Sequence, residues 1–246
     1  VLYFDGNNLL IDRKSKQISD TTKLPGRSMA KSLVSYLLGQ AICKGKINSL
    51  DDPVEKYLKA TTGTLYAAYT LRKMINMMAG DSNIFDRSSN FVREKTAIKI
   101  RQGGMRRGFA LTLADYEKWE FLPDYDVLRI MGATTVMHSI NKAKGIKETG
   151  AHEYNYSSLV ADIVFNVIGQ VTNRYLEDFI QKHLINRAGV TDEILWLLDQ
   201  WGDLIGSGGV FATRKDYLRF GIMIANDWKS DTCIGNYMRE IENNKI

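Results

Sequence analysis

The opening segment "VLYFDGNNLLIDR" has two short apolar runs around Asp5-Gly6-Asn7-Asn8, a pattern that predicts a β-hairpin at the start of the chain. After Ser28 the period changes. Met29, Leu33, Val34, Leu37, Leu38, Ala41 and Ile42 recur at three- and four-residue spacing, and Gly45 follows as a stop, which predicts a helix buried over a wide face. A second helix is expected after Thr70 as N-cap, running through "LRKMINMMA" to Gly80. Residues 81–150 are polar and irregular, with short helical pieces expected around 113–120 and 126–140. From Ser158 the helical period returns, with Val160, Val164, Val167, Ile168 and Val171 on one side. "RYLEDFIQKHLINRAGV" then reads as a further helix ending at Gly189. The last clear unit, "DLIGSGGVFATRKDYLRFGIMIAND", is a glycine-rich extended turn leading into a helix capped by Thr213.

Composition narrows the class. The chain has 246 residues, 44% hydrophobic and 25% charged, enough for a proper core and typical of a globular protein. Its formal net charge of +5 is spread over 33 Lys and Arg among 28 acids, without blocks, so no nucleic-acid partner is expected. Cys43 and Cys233 are too few and too far apart to suggest a disulfide framework or a metal site, and His138, His152 and His183 lack ligand spacing. No metal and no cofactor are expected. No apolar run approaches the roughly 18 residues of a membrane span. The first residues read as strand, turn and strand rather than as a signal peptide, and a start inside a strand suggests that an upstream portion is missing.

The candidate chemistry lies where the first turn becomes the long helix. Ser28 and Lys31 stand at Ser-x-x-Lys spacing, and residues i and i+3 of a helix share a face, so the Lys31 amine can reach the Ser28 hydroxyl. Partial desolvation and the positive end of a helix dipole both favour a neutral amine, the form that acts as a general base and activates a serine nucleophile. The Ser28 backbone N–H, at a helix start, could also face a developing oxyanion. The alternative is that Ser28 is an N-cap and Lys31 a solvated first-turn residue. The spacing alone should occur on the order of once by chance, and Ser139 and Lys142 repeat it in the polar stretch "HSINKAKG", without an apolar helix behind them. Two further stretches could join Ser28. Tyr156 precedes a helix whose N-cap is Ser157 or Ser158, so its phenol is held at a helix entrance where it can relay a proton; Tyr154 is an equally placed rival. "GSGGVFAT" could bring backbone close to a ligand at Gly208 and Gly209, or be only a turn.

The order of these stretches, "SMAKSLVSYLLGQAICKGKINSLDDPVEKYL", "YTLRKMINMMAG", "YNYSSLVADIVFNVIGQVTNRYLEDFI" and "GSGGVFATRKDYLRFGIMIAND", resembles the serine β-lactamase-like superfamily over residues 1–226. The likeness is greatest to its class C, penicillin-binding-protein-like esterase and 6-aminohexanoate-dimer hydrolase branch. The resemblance implies an α+β fold, an antiparallel sheet flanked by helices with a mostly helical middle. It implies one domain over 1–246, incomplete at both ends, with a sheet hairpin at 1–27, a mainly helical region at 28–190 and a return to a sheet-side helix at 191–246. It further implies Ser28 as acylated nucleophile, Lys31 as its base and Tyr156 as the tyrosine of a Tyr-x-Asn-like motif. Ser158 occupies that motif's third position, where many class C relatives carry Asn, and with Gly208 and Gly209 it would line the substrate.

The family's third motif, Lys-Thr-Gly or His-x-Gly, does not follow Gly209, and "KETG" at 147–150 has an inserted residue. The natural protein is therefore expected to continue into strands that carry such a triplet. The implied function is hydrolysis of a small ester or amide through an acyl-enzyme, with β-lactamase or D-alanyl-D-alanine peptidase activity as the alternative within the same chemistry. A non-catalytic binding relative is the alternative outside it. Relatives of this kind are often periplasmic or secreted.

Overall fold

The computed structural model describes residues 1–80, 140, 144–145, 154–173, 176–197 and 204–243. The helical pieces expected at 113–120 and 126–139, the Ser139/Lys142 pair, His138, His152 and the 147–150 stretch lie outside the described residues.

The chain opens with the expected hairpin. β1 (Leu2–Phe4) pairs antiparallel with β2 (Leu9–Asp12), in register Leu2↔Asp12 and Tyr3↔Ile11. Its turn is held by the Asp5 carboxylate, which accepts the amides of Asn7 and Asn8 at 2.8 and 2.7 Å, and Gly6 supplies a positive φ of 109°. A second, separate sheet takes up only Leu24–Pro25 of the rest of the first 27 residues. β3 (Leu24–Pro25), β4 (Leu195–Trp196) and β5 (Val210–Ala212) form a three-stranded antiparallel sheet in the order β3-β5-β4, with Pro25 opposite Phe211 and Trp196 opposite Val210. The central strand β5 is buried throughout. This pairing sets the turn after β3 beside the glycine-rich turn before β5, and the Gly26 amide donates to the Val210 carbonyl at 2.8 Å.

After β3 a 3-10 turn (Arg27–Met29) feeds α1 (Ala30–Cys43). The wide buried face expected of α1 is present in Leu33, Val34, Leu37, Leu38 and Ala41, whereas Met29 is 51% exposed, because the 3-10 turn rotates it out of the helical period. Short helices α2 (Val54–Tyr57) and α3 (Leu71–Ile75) follow, α3 capped by Thr70, whose hydroxyl accepts the Lys73 amide. α4 (Ser158–Val171) is capped by Ser157 and buries Val160, Ile163, Val164, Phe165, Val167 and Ile168; Val171 is half-buried at its end. α4 packs against α1, α2 and α3, so the two helices that open at Ser28 and near Tyr156 lie side by side.

α5 (Leu176–Ile180) passes through a π-helical turn (Gln181–Ile185) into α6 (Asn186–Ala188), which ends at left-handed Gly189 as expected. α7 (Arg214–Trp228) starts at Thr213, whose hydroxyl accepts the Asp216 amide at 3.1 Å, and α8 (Cys233–Asn243) follows. A polar knot ties three helices: the Tyr36 hydroxyl of α1 donates to Asp227 of α7 at 2.6 Å, and Arg187 of α6 bonds both. No described helix is long and apolar enough to cross a membrane.

The cysteine expectation is overturned. Cys43 and Cys233 form a disulfide across 190 positions of sequence, with Cα atoms 5.8 Å apart. Spacing along the chain carries no signal for such a pair. What joins them is the packing of α8 on α1, close enough that a Cβ at Gly39 would lie 2.4 Å from the Tyr237 ring and 2.6 Å from Ile234.

Candidate active site

Ser28 sits in the 3-10 turn ahead of α1 and is exposed. It does not cap the helix: the N-cap is Met29, which makes no side-chain cap bond. The Ser28 hydroxyl instead accepts hydrogen bonds from two side chains. Lys31, in the first turn of α1, donates from Nζ at 3.3 Å, and Tyr156, 128 positions away and just before α4, donates from its hydroxyl at 2.8 Å. Tyr154, the rival, is 71% exposed, whereas Tyr156 is half-buried. Lys31 Nζ lies 5.0 Å from the Tyr156 ring centroid, so a serine hydroxyl, an amine and a phenol form one cluster.

The turn carrying this cluster is shaped by its backbone. Arg27 has φ 48°, a left-handed conformation that costs an L side chain about 1–2 kcal/mol and bends the chain sharply just before Ser28. Gly26 must be glycine for a different reason: a Cβ there would lie 2.6 Å from the Tyr217 hydroxyl and 2.8 Å from Val210. Tyr217 in turn donates to the carbonyls of Leu24 and Val210 at 2.8 and 3.1 Å and so clamps β3 to β5.

The glycine-rich turn supplies the fourth side of the site, though through residues the sequence pattern did not single out. Ser207 offers its carbonyl to Lys31 Nζ at 2.7 Å, and its amide donates to the Asp162 carboxylate at 2.7 Å. Gly208 backs onto Arg27, where an added Cβ would stand 3.5 Å from the Arg27 carbonyl. Gly209 is committed to the turn itself: its amide donates to Ile205 at 3.1 Å, its carbonyl accepts from Leu197, and a Cβ would lie 2.6 Å from the Ile205 carbonyl oxygen. Its N–H is therefore not free for a ligand. Ser158 is exposed at the first position of α4.

Asp162 is the electrostatic centre of the site's interior. It lies about one turn into α4, 8% exposed, and burial pushes its carboxyl up to about 7 against the opposing pull of the Ser207 amide and hydroxyl, the Lys31 charge and the Gly206 amide. A sequence signal for it did exist. It is the lone acid within the apolar run "SLVADIVFNVIGQV", and an acid on a helix so apolar needs partners.

No protein-family model matches the sequence, and no curated protein matches it either. Solved structures do share the fold. A candidate 6-aminohexanoate-dimer hydrolase of Bacillus anthracis superposes with a TM-score of 0.62 at 15% identity, over 95% of this chain and 55% of that one. For a candidate β-lactamase of Bacteroides dorei the values are 0.59 and 17%, over 93% and 58%. For a D-stereospecific amidohydrolase of a Streptomyces species they are 0.59 and 13%, over 90% and 66%. The chain thus spans between 55% and 66% of the length of these proteins. Small antiparallel sheets, the central helices α1 and α4 and the order of elements together give this chain the α+β fold of the serine β-lactamase-like superfamily.

Proposed function

We propose that this protein is a serine hydrolase that opens a small ester or amide through an acyl-enzyme on Ser28. The observation that carries the reading is the convergence of Lys31 and Tyr156 on the Ser28 hydroxyl from two separate helix starts. An exposed serine hydroxyl met by a half-buried amine and a half-buried phenol is the arrangement that activates a serine nucleophile.

The chemistry follows from the donors and acceptors. One Lys31 hydrogen is taken by the Ser207 carbonyl, which orients Nζ so that, in the neutral amine, the lone pair can face Ser28. Ser28 Oγ attacks the substrate carbonyl carbon as its proton passes to Lys31, and the carbonyl π pair moves onto oxygen. The Ser28 backbone N–H is the donor we assign to that oxyanion. Collapse breaks the bond to the leaving group, which takes a proton from Tyr156; Tyr156 is reprotonated by Lys31. Water then attacks the acyl-enzyme, its proton goes to the Lys31–Tyr156 pair, and Ser28 Oγ leaves and regains its hydrogen. Exposed Ser158, two residues after Tyr156, and the Gly208 backbone beside Arg27 are assigned to the substrate. The likeness to a D-stereospecific amidohydrolase and a candidate 6-aminohexanoate-dimer hydrolase supports an amide or ester substrate.

A periplasmic or secreted location belongs to the same reading, supported by the Cys43–Cys233 disulfide, since such bonds persist in oxidising compartments.

Incubation with a fluorophosphonate, followed by peptide mass analysis, tests the function. The adduct is expected on Ser28 and absent in Ser28→Ala. Labelling at another serine, or labelling that survives Ser28→Ala, overturns the assignment.

A further inference from the structure

Asp162 takes no part in the bond-making steps above, yet it is the most deeply placed acid near them. Its carboxylate does not touch Lys31 through any hydrogen bond; it takes the Ser207 amide, and the Ser207 carbonyl on the next peptide takes Lys31. One peptide unit on either side of Ser207 Cα thus connects a buried acid on α4 to the base on α1. The ends of the 206–209 turn are held by backbone bonds between Leu197, Ile205 and Gly209 and by the Trp196 indole on the Ile205 carbonyl, and Gly206 packs closely, where a Cβ would lie 2.8 Å from Phe165; the Ser207 amide itself is held by Asp162.

We propose that Asp162 is a positioning residue for acyl transfer: by holding the Ser207 amide it turns the Ser207 carbonyl onto Lys31 Nζ and so aims the amine at Ser28. The inference rests on the hydrolase reading and deepens it. Two independent features support it. The carboxylate is more than nine-tenths buried, and an acid is costly there unless its acceptor capacity is used. The Lys31 charge also favours its ionised form, so the carboxylate and the amine act on each other's surroundings across the Ser207 peptide.

The groups facing Asp162 bound that coupling. Lys31 approaches from α1, and the Ser207 amide and hydroxyl and the Gly206 amide approach from the turn. α2 and α3 also pack on α4, but their cations are engaged elsewhere: Lys56 with Asp52, Arg72 with Asp51 and Glu240, and Lys73 over the Tyr69 ring. Among the described residues, Lys31 is therefore the cation that acts on the Asp162 carboxyl.

The test is the rate of Ser28 labelling by a fluorophosphonate from pH 5 to 10 in the wild type, Asp162→Asn and Asp162→Ala, with hydrogen exchange across 204–210 as a second readout. Asn keeps an acceptor for the Ser207 amide and removes the charge. Its maximal rate is expected within about tenfold of wild type, with the rising limb of the profile displaced to lower pH. Ala removes the acceptor as well, and is expected to slow labelling by about tenfold or more at every pH and to expose the Ser207 amide to exchange. A merely structural role would change melting temperature and leave the limb where it was. Should Ala fail to fold, the displaced limb in Asn decides. Wild-type labelling at Ser28 with unchanged rate and limb in the variants overturns this inference alone. Absence of wild-type labelling overturns the hydrolase reading, and this inference falls with it.

Discussion

The Tyr156 hydroxyl donates to the Ser28 hydroxyl at 2.8 Å across 128 positions of sequence, from the residue that precedes the cap of α4 to the turn that precedes α1. Tyr156→Phe keeps the ring and its contact with Lys31 and removes the proton. It is expected to lower ester turnover by about two decades or more while leaving the melting temperature nearly unchanged. Tyr154→Phe, at a side chain 71% exposed, is expected to do nothing. Steady-state hydrolysis of a p-nitrophenyl ester by both variants separates them; a loss confined to Tyr154→Phe would remove Tyr156 from the site.

Lys31 is held by Ser207 and reaches Ser28 from the first turn of α1. Lys31→Ala is expected to slow acylation by about two to four decades with little effect on folding. Lys31→Arg should not rescue it, because a guanidinium stays charged and has no lone pair to accept the serine proton. Rapid labelling in the Arg variant would mean that charge, not basicity, is what the site needs.

The Cys43–Cys233 disulfide ties the end of α1 to the start of α8. A cross-link that closes so long a loop constrains the unfolded chain, and its removal is expected to cost on the order of 2–5 kcal/mol. Denaturant unfolding of Cys43→Ser/Cys233→Ser should show this loss, dithiothreitol should impose it on the wild type, and the reductant should have no further effect on the variant. A stability unchanged by reductant, or free thiols in the native protein, would contradict the bond.

Asp162 also predicts a pH dependence of stability. Its folded pKa, pushed up to about 7, lies above the ordinary 3.8, so between those values the folded chain holds a proton that the unfolded chain has released. Stability therefore falls as pH rises from about 4 to about 7 and stays at the lower level above. His183 works the other way. Burial and the charges of Lys44, Lys182, Arg187 and Lys46 hold its pKa below the usual 6.5, so its contribution to stability grows as pH rises towards 6.5. Subtracting the unfolding free energies of Asp162→Asn from those of the wild type removes the histidine. The variant should gain on the wild type by on the order of a few kcal/mol between pH 4 and pH 7, then keep a constant lead. A flat difference would place the Asp162 carboxyl in an ordinary, solvated setting. Asp20, Asp51 and Asp52 are held below the usual carboxylate range by lysine and arginine partners, so they act at more acidic pH.

Much of the local architecture could be read directly from the chain. The caps at Thr70 and Thr213, the cap of α4 at Ser157 or its neighbour Ser158, the stop at Gly189, the hairpin around Asp5 and Gly6, and the facing of Ser28 and Lys31 all depend on hydrogen bonds or side chains within four residues of each other. Propensity and period determine such contacts wherever the segment finally packs. The order of these segments was enough to suggest the superfamily fold. The residues by themselves leave Tyr156 and Tyr154 open and only the resemblance favours Tyr156; the placement of α4 against α1 is what brings the Tyr156 phenol to Ser28. Tertiary structure alone joined Cys43 to Cys233, brought Ser207 to Lys31 across 176 positions, and committed Gly209 to its own turn. Those contacts arise where separate elements meet at van der Waals distance, as Gly39 meets the Tyr237 ring and Gly26 the Tyr217 hydroxyl. Such fits depend on the shapes of both partners, and a one-dimensional pattern of apolar and polar positions carries no measure of shape.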